Sequence, residues 1–437
     1  MAYVFNAVYL ALVVALTPWF AYQAFTRGKY RQGWGARLWG NVPKPSGDRP
    51  VVWLHAVSVG EVNLLSTILK EFERRELNVE CVISTTTAAG YALAKTKYAS
   101  RIVFYCPLDF SWAVRRALQR LQPELLILAE LELWPNLIRF AKASGARIAV
   151  INGRLSEKSF RGYRRIRPLI SRTLERIDLI TAQNEEYADR FRQLGAKPAA
   201  VRVTGSLKYD GATTDRQNPK TVRLAALAGF HPHDVIFLAG STQDPEESLA
   251  LDSYLALAPE HPELRLLIVP RHPERFPAVA QMLAKRNIVF QRRSELDTQG
   301  VNSEARVLLV DTVGELGAWW GTARIAFVGG SLSTRGGQNM IEPAAYGAAV
   351  SFGTSTRNFR DIVAALLGAG GAHVVQDGTG ITSFVRRCLE EPAWADQLGT
   401  AAARFVASQL GATGRTVDRV ETLITVRSKT MPSQRAA

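Results

Sequence analysis

The sequence "VVWLHAVSVGEVNLL", residues 51–65, decides the fold of this chain. Val51–Val57 is an almost wholly apolar run of strand length, and the amphipathic pattern after it is typical of a helix. Gly60 would let the backbone bend between the two. Glu61 would then stand in the first turn of the helix, where the helix dipole favours a carboxylate. The stretch predicts a strand, a turn that carries an acid, and a helix.

The same alternation of apolar runs and helical patterns extends along the chain in two series. The first series of predicted strands is Val51–Val57, Val79–Ser84, Arg101–Tyr105, Leu125–Ala129, Ala146–Ile151 and Leu179–Ala182. The second series is Val235–Gly240, Arg265–Val269, Val307–Val310, Ile325–Gly329 and Ala349–Phe352. Continuous apolar strands separated by helices predict parallel sheets built from βαβ units.

A polar segment rich in turn formers, "YDGATTDRQNPK" (Tyr209–Lys220), separates the two series and is typical of an interdomain linker. We therefore predict an α/β protein with two doubly wound domains, whose ligand cleft lies at the carboxyl edges of their sheets. The predicted order is a membrane anchor at 1–26, an N-terminal domain at 27–208, a linker at 209–232, a C-terminal domain at 233–425 and a disordered tail at 426–437.

Composition narrows the range of partners. The 437 residues carry 54 basic and 39 acidic side chains, and a formal charge of +15 favours an acidic partner such as a nucleic acid, an anionic membrane or a phosphorylated substrate. No RNA-binding signature is present, so we do not expect nucleic acid to be the partner. Cys81, Cys106 and Cys388 have neither metal-ligand nor disulfide spacing and are predicted to be buried free thiols.

The N-terminus predicts membrane attachment. Residues 1–26 contain no charged side chain and are about long enough to span a bilayer, although Pro18 leaves an interfacial anchor open. Positive charge follows the apolar run rather than preceding it, so the rest of the chain is expected on the cytoplasmic side. The basic residues concerned are Arg27, Lys29, Arg31 and Arg37, interspersed with Trp34 and Trp39.

The second series of strands carries three features that predict an anion site. A glycine-rich loop at 335–339 leads from a buried strand into a helix predicted to begin near Met340, and bare amides at a helix start bind anions. Glu342, in that first turn, could accept hydrogen bonds from a nucleoside. Arg271, at the end of another strand, could bind a phosphate bidentately, and the helix predicted at Gly314–Leu316 could supply further amides.

The first series carries acids and bases near the same predicted edge. Glu130 and Glu132 follow a buried strand and would share a face in extended geometry, but which of them faces the cleft stays open. Lys208 would lie at the domain junction, within reach of a phosphate. The basic run that begins at Arg154 is expected to form a solvated face that also docks on anionic lipid or an acidic acceptor; its other members are Lys158, Arg161, Arg164, Arg165 and Arg167.

Taken in order, these pieces resemble the bacterial 3-deoxy-D-manno-octulosonic acid (Kdo) transferases of lipopolysaccharide synthesis. The motifs that carry the resemblance run along nearly the whole chain; they include "WLHAVSVGEV", "STTTAAGYALA", "ELELWPNLI", "NGRLSEKSFRGYRR", "TGSLKYD", "AGSTQDPEE", "VPRHPERF", "DTVGELGAWW" and "GGSLSTRGGQNMIEP". The resemblance implies a GT-B fold, CMP-Kdo as donor, a lipid A precursor as acceptor, no essential metal or cofactor, and a place on the cytoplasmic face of the inner membrane.

The resemblance also implies roles for single residues. Glu61 would be the general base of an inverting transfer, because the acceptor hydroxyl loses a proton as it attacks. The acceptor or supporting residues would be Ser58, Gly60, Glu130, Glu132 and Arg154. The donor residues would be Lys208, Ser241, Arg271, His272, Gly314, Glu315, Leu316, Asn339 and Glu342. Two positions depart from the family's usual histidine, Gln243 and Gln338, and an amide cannot carry a proton.

Two alternatives remain at the level of sequence. A GT-B enzyme that acts on another nucleotide sugar, either as a transferase or as a 2-epimerase, would share the predicted fold and anion site. A non-catalytic, membrane-tethered basic protein that binds nucleic acid would explain the charge but not the motifs at the strand ends.

Overall fold

The computed structural model describes residues 33–424 and, before them, Asn6, Tyr9–Ala11, Ala15 and Tyr22. Most of the predicted anchor and the tail from residue 426 lie outside the described residues. In the described part of the chain, no helix is both long and apolar enough to cross a membrane. The chain divides into two compact units, the first reaching to Asp210 and resuming at Leu410, the second being Gly211–Gln409.

The first unit is built on a seven-stranded parallel sheet, ordered β3-β2-β1-β4-β5-β6-β7. Its strands are β1 Val51–His55, β2 Glu80–Thr85, β3 Ile102–Tyr105, β4 Leu125–Ala129, β5 Arg147–Gly153, β6 Leu179–Ala182 and β7 Val201–Val203. β1 and β4 are buried along their whole length, because helices cover both faces of the sheet. The apolar runs of the sequence therefore become the central strands.

The helices that precede the second unit along the chain cover these two faces. They are α1 Trp34–Trp39, α2 Val59–Arg74, α3 Ala88–Lys97, α4 Ser111–Leu121, α5 Pro135–Ala143, α6 Glu157–Arg165, α7 Arg167–Leu174 and α8 Glu185–Gln193. Two described residues of the predicted anchor also contact this unit. Asn6 Nδ2 donates to Ser111 Oγ at 2.7 Å, and the Tyr9 hydroxyl donates to Asp109 Oδ2 at 3.1 Å.

The second unit has the same plan, with strands ordered β10-β11-β9-β8-β12-β13-β14. These strands are β8 Val235–Thr242, β9 Leu264–Pro270, β10 Phe290–Arg292, β11 Val307–Leu309, β12 Ile325–Val328, β13 Ala349–Phe352 and β14 His373–Val374. The helices are α9 Pro219–Leu227, α10 Glu246–Leu257, α11 Phe276–Lys285, α12 Arg293–Gln299, α13 Leu316–Trp319, α14 Ile341–Ala345, α15 Arg360–Gly368, α16 Gly378–Glu390 and α17 Pro392–Gln409. Two parallel-sheet α/β domains are thus confirmed.

The chain order of each sheet creates one switch point. In the first unit, β2 and β3 are added on one side of β1, and the chain then crosses over to add β4 on the other side. The switch point therefore falls between β1 and β4. In the second unit it falls between β8 and β12 for the same reason. In doubly wound folds ligands bind outside the carboxyl ends of the strands at such a point.

The last described helix belongs to the first unit, although the sequence analysis placed residues up to 425 in the second domain. This helix, α18 (Ala412–Glu421), packs its apolar side into the first unit's core beside α2. Arg75 at the end of α2 pairs with Asp418 at 2.7 Å and with Glu421 at 3.1 Å. The returning chain is fastened by Asp210, whose carboxylate accepts from Gly411 N at 2.7 Å.

Much of the predicted linker, 209–232, is ordered on the second unit. Asn218 caps α9 by accepting from Thr221 N, and Pro219 occupies the first turn, where its missing N–H has no cost. Just before this helix, Arg216 donates to three main-chain carbonyls of the second unit, those of Gly321, Ala323 and Tyr346, at 2.8–2.9 Å. The polar residues of this segment therefore cap a helix and bind main-chain carbonyls of the second unit.

Candidate functional site

Glu61 is held at the turn between β1 and α2 by both of its carboxylate oxygens. Val57 N–H donates to one oxygen and the Ser58 hydroxyl to the other, each at 2.8 Å. Ser58 is the N-cap of α2 and in turn accepts from Glu61 N, an arrangement close to a capping box. Burial, and to a smaller extent the charge of Glu130, raise the pKa of Glu61, while the two hydrogen bonds to the carboxylate oppose the rise.

Gly60 does not make the bend that the sequence analysis assigned to it. It lies inside the first turn of α2, and a Cβ built on it would approach nothing closer than Ser58 Oγ at 3.7 Å. The turn comes from Ser58, whose extended backbone precedes the helix. Gly60 is exposed, so the site has open space beside Glu61.

Two further carboxylates lie at the same switch point, at the end of β4. The expected extended geometry is wrong, because Glu130 has a left-handed backbone with φ 58°, which turns the chain directly after the strand. Glu130 pairs with Lys208 Nζ at 3.0 Å. Glu132 accepts from Trp134 Nε1 at 2.9 Å. Burial, followed by the charge of Glu61, raises the pKa of Glu132 to about 7.

Lys208, which the sequence predicts at the domain junction and among the donor residues, lies in the first unit and forms an ion pair with Glu130. Its main-chain neighbour Leu207 N donates to Asn152 Oδ1 at 3.0 Å, and Asn152 Nδ2 lies 3.5 Å from Glu130. Asn152, buried with φ 54°, therefore holds both sides of the ion pair. Arg154 follows two residues later, partly buried at the same end of β5.

His55, at the carboxyl end of β1, is a buried polar residue that was not among the predicted site residues. It is completely buried at the end of β1, and Nδ1 contacts Ser84 Oγ at 2.9 Å. Burial lowers the pKa of His55 to about 4, so the ring is neutral near pH 7. Among the described residues its Nε2 has no hydrogen-bond partner, and the ring lies edge-on to Trp134. The sequence signal was a lone polar residue at the carboxyl end of an apolar strand.

The predicted nucleoside residues come together at the carboxyl edge of the second sheet. Asn339 Nδ2 donates to Glu342 Oε1 at 3.1 Å, and Asn339 Oδ1 accepts from Ile341 N. Burial raises the pKa of Glu342, whereas the positive charge of Arg271 lowers it. Arg271 is exposed at the end of β9 with His272 beside it. The structure therefore brings Arg271, Asn339 and Glu342 into one electrostatic group.

The Gly314–Leu316 segment differs from the expectation. α13 begins at Leu316 and has four residues, and α14 begins at Ile341 and has five, so neither has the aligned peptide dipoles of a long helix. The Glu315 carboxylate is occupied by Arg293, which donates to both of its oxygens at 2.9 Å, and by the Thr312 hydroxyl. Glu315 thus holds the segment in place, and Gly314 stands exposed before it with φ 91°.

Ser241 sits at an irregularity near the end of β8. It has a left-handed backbone with φ 55°, where the pairing of β8 with β9 shifts register between Gly240 and Thr242.

The three cysteines are free and buried, as expected. Within the described ranges, no group of three or more His, Cys, Asp or Glu side chains is arranged to hold a metal ion.

The comparisons with known proteins agree with one another. Residues 32–211 match a family model described as 3-deoxy-D-manno-octulosonic-acid transferase (kdotransferase). A 3-deoxy-D-manno-octulosonic acid transferase of Haemophilus influenzae is 33% identical over 396 residues, covering 89% of this chain and 91% of that protein. The protein of the same name in Bordetella pertussis is 34% identical over 380 residues, covering 85% and 86%.

Solved structures show the same fold at low identity. UDP-GlcNAc 2-epimerase of Neisseria meningitidis, bound to UDP-GlcNAc, aligns with a TM-score of 0.57 at 13% identity, covering 85% of this chain and 100% of that chain. A glycosyltransferase of Rickettsia africae aligns with a TM-score of 0.54 at 10% identity, covering 86% and 99%. The two-domain architecture thus resembles that of GT-B glycosyltransferases.

The raised pKa of Glu132 predicts that its carboxylate opposes folding at neutral pH. A carboxyl that is protonated more readily in the folded state stabilises least once the pH exceeds its folded pKa. Glu132→Gln should therefore match the wild type near pH 4, gain stability between about pH 4.5 and 7, and be about 1–2 kcal/mol more stable at pH 8, after allowance for solvent screening.

The measurement is urea unfolding of both proteins at pH 4, 6 and 8. Glu130→Gln is the control, since it removes the partner of Lys208 and is expected to lower stability at pH 8. A difference for Glu132→Gln that does not change with pH would contradict the assignment of a raised pKa.

Proposed function

We propose a specific reaction for this chain, which belongs to the 3-deoxy-D-manno-octulosonic acid (Kdo) transferase family and is therefore a glycosyltransferase: it moves Kdo from CMP-Kdo to a hydroxyl of a lipid A precursor, with inversion. The observation that carries the mechanism is Glu61, a half-buried carboxylate with a raised pKa at the switch point of the first sheet.

Glu61 acts as the general base. Its two hydrogen bonds, from Val57 N–H and the Ser58 hydroxyl, fix the direction of the carboxylate while each oxygen keeps free lone pairs. The raised pKa makes it a stronger base than a solvated glutamate, and it is still ionised when the pH exceeds that pKa. The proton of the acceptor hydroxyl passes to Glu61 as the oxygen attacks the anomeric carbon of Kdo.

The acceptor is positioned by the residues around Glu61. Glu132, with a pKa of about 7, can hold a proton and donate it to an acceptor hydroxyl or accept from one. Lys208 supplies a positive charge that is balanced by Glu130 and can turn to a phosphate of the acceptor. Arg154 and the exposed arginines of α6 add positive charge on this side of the first unit.

The donor binds at the carboxyl edge of the second sheet. Arg271 and His272 meet the phosphate of CMP, and the exposed Gly314, the segment that follows it and the turn at Ser241 line the same edge. Asn339 and Glu342, joined by a hydrogen bond, meet the nucleoside. As the new C–O bond forms, the bond between the anomeric carbon and the phosphate oxygen breaks, and Arg271 stabilises the negative charge that develops on CMP.

The N-terminal segment attaches the enzyme to the cytoplasmic face of the inner membrane. The contacts of Asn6 and Tyr9 with the first unit favour an interfacial anchor over a straight span, because these polar groups meet protein rather than lipid. Trp34 and Trp39 are exposed on α1, where amphipathic rings suit the headgroup layer. The basic excess of the chain adds attraction to an anionic membrane surface.

The proposed reaction is tested with CMP-Kdo generated in situ and a lipid A precursor, with the product mass read by mass spectrometry. An added mass of one or more Kdo units confirms it. UDP- and GDP-sugars serve as competing donors; transfer from one of them but not from CMP-Kdo, or epimerisation of the sugar without transfer, would refute it.

Glu61→Gln should lower turnover by about 10²–10⁴-fold because it removes the base, while CMP still binds with its normal affinity. Glu73→Gln, which changes an exposed carboxylate of the same helix, is the control and should leave turnover unchanged. Near-normal turnover of Glu61→Gln would exclude Glu61 as the base.

Arg271→Ala should weaken donor binding by about 10–100-fold, since a hydrogen-bonded charge is lost. Its effect should appear in the KM for CMP-Kdo and in the Kd of CMP measured by calorimetry. Arg286→Ala, at an exposed arginine of the same unit, is the matched control. An unchanged donor KM would remove Arg271 from the phosphate site.

Deleting residues 1–26 should leave a folded protein that high salt extracts from membranes, because the long apolar segment is lost and salt screens the attraction of the remaining basic residues. Circular dichroism checks folding, and sedimentation of vesicles with and without 1 M salt, a level at which the Debye length is about 3 Å, checks attachment. If the shortened protein still sediments with membranes in high salt, the anchor lies elsewhere.

A further inference from the structure

The sequence "TQDPEES", residues 242–248, ends β8 and starts α10 with two consecutive glutamates. Both are buried, but they differ in what they bind. Glu247 forms an ion pair with Arg275, in which both carboxylate oxygens accept at 3.0 Å. Glu246, with no exposed surface, accepts hydrogen bonds from main-chain amides.

Glu246 receives four such hydrogen bonds. Oε2 accepts from Gln243 N at 2.9 Å and from Gly330 N at 2.6 Å. Oε1 accepts from Ser331 N and Leu332 N, both at 2.9 Å. Three consecutive amides after β12 thus converge on one carboxylate that is carried by the segment after β8. An ionised carboxylate can accept all four, whereas a carboxamide would point its own N–H groups at some of them.

The loop that Glu246 binds is also hydrogen-bonded to the segment after the next strand, β13. The Ser331 hydroxyl donates to Val328 O at 2.6 Å and accepts from Gly353 N at 2.8 Å, and Ser331 O accepts from Ser355 N at 2.9 Å. The segment after β13 is therefore fixed through Ser331. One buried carboxylate connects the chain segments that follow β8, β12 and β13, which are neighbours in the sheet.

The segments approach so closely that Gly329 has no room for a side chain, and at Gly330 the left-handed backbone would strain one. A Cβ on Gly329 would lie 2.6 Å from Thr242 Cα and 2.8 Å from Glu246 Oε2. A Cβ on Gly330, which has φ 65°, would lie 3.1 Å from Gln338 Nε2 and 3.3 Å from Gln243 Nε2. The two glutamine amides therefore flank Gly330 on the surface that Glu246 supports.

We infer that Glu246 is a positioning residue for the donor: by holding the amides of residues 330–332 at the β8–β12 switch point, it sets the geometry of the surface that binds the CMP moiety. This inference rests on the proposed function for the identity of the ligand. Glu246 itself does not contact the nucleotide, because its carboxylate is buried beneath the loop and its oxygens are directed to main-chain amides.

The first test is hydrogen exchange on the unliganded wild-type protein. The amides of Gly330, Ser331 and Leu332 should exchange at least 100-fold more slowly than that of Thr334, an exposed residue of the same loop, because each of the three donates to a buried carboxylate. Rapid exchange of residues 330–332 would overturn the inference, whatever the enzyme's donor proves to be.

The second test compares Glu246→Gln with Glu247→Gln. Both changes remove a buried charge, so both should lower Tm, but only Glu246→Gln should weaken CMP binding, by 10-fold or more in calorimetry. At a saturating donor concentration, Glu246→Gln should recover more than a third of wild-type turnover, since the base is intact. Equal CMP affinity in the two variants would show a purely structural role and refute the inference.

Ser331→Ala keeps the main-chain amides and covers the case in which Glu246→Gln does not fold. It removes the hydroxyl that binds Gly353 N, and it should raise the Kd of CMP by about three- to ten-fold. No change in the Kd would contradict the inference. If the wild-type protein does not bind CMP while the amides of residues 330–332 exchange slowly, the proposed donor is wrong, although Glu246 still holds these amides.

Discussion

A parallel sheet that is covered by helices on both faces leaves its strand ends as the places where side chains can reach a ligand. The chain has two such sheets, and a carboxylate lies at the switch point of each one. In the first unit Glu61 is half buried and retains open space beside it. In the second unit Glu246 is completely buried, and its carboxylate accepts hydrogen bonds from four main-chain amides. We therefore propose a reactive role for the carboxylate of Glu61 and a structural role for that of Glu246, because their hydrogen-bond partners and exposure differ.

The surroundings of Glu61 combine the contacts of an ordinary helix start with the neighbouring acids of the proposed acceptor site. The hydrogen bonds from Val57 and Ser58 are those of a helix start, and any folded protein could use them. What a helix start does not need is the neighbouring pair of acids, since like charges near one another oppose folding. Lys208 balances the charge of Glu130. Glu132 has no ion-pair partner among the described residues, and burial raises its pKa to about 7. That electrostatic cost is consistent with an acceptor site.

The central strands could be read from the sequence because continuous apolar runs are a local signal. β7, β10 and β14 were missed because they have two or three residues and are partly exposed, which leaves no pattern. The position of Glu130 was misjudged since a left-handed residue cannot be inferred from alternation. The role of Glu315 was also out of reach, because its partner Arg293 lies 22 residues away. Motifs in the sequence predicted which residues belong to the candidate site. Ion pairs between residues far apart in the sequence decide which of these side chains are left to bind a ligand.

The chain leaves the first unit at Asp210 and re-enters it beside that same residue, where the Asp210 carboxylate binds Gly411 N. The second unit is thus inserted into the first rather than appended to it. During synthesis on the ribosome, β1 to β7 emerge early, but their apolar surface beside α2 stays uncovered until about two hundred further residues have been made. A gene fragment that stops at the apparent domain boundary would encode an unfinished core, and the first unit can be produced alone only if α18 is rejoined to it.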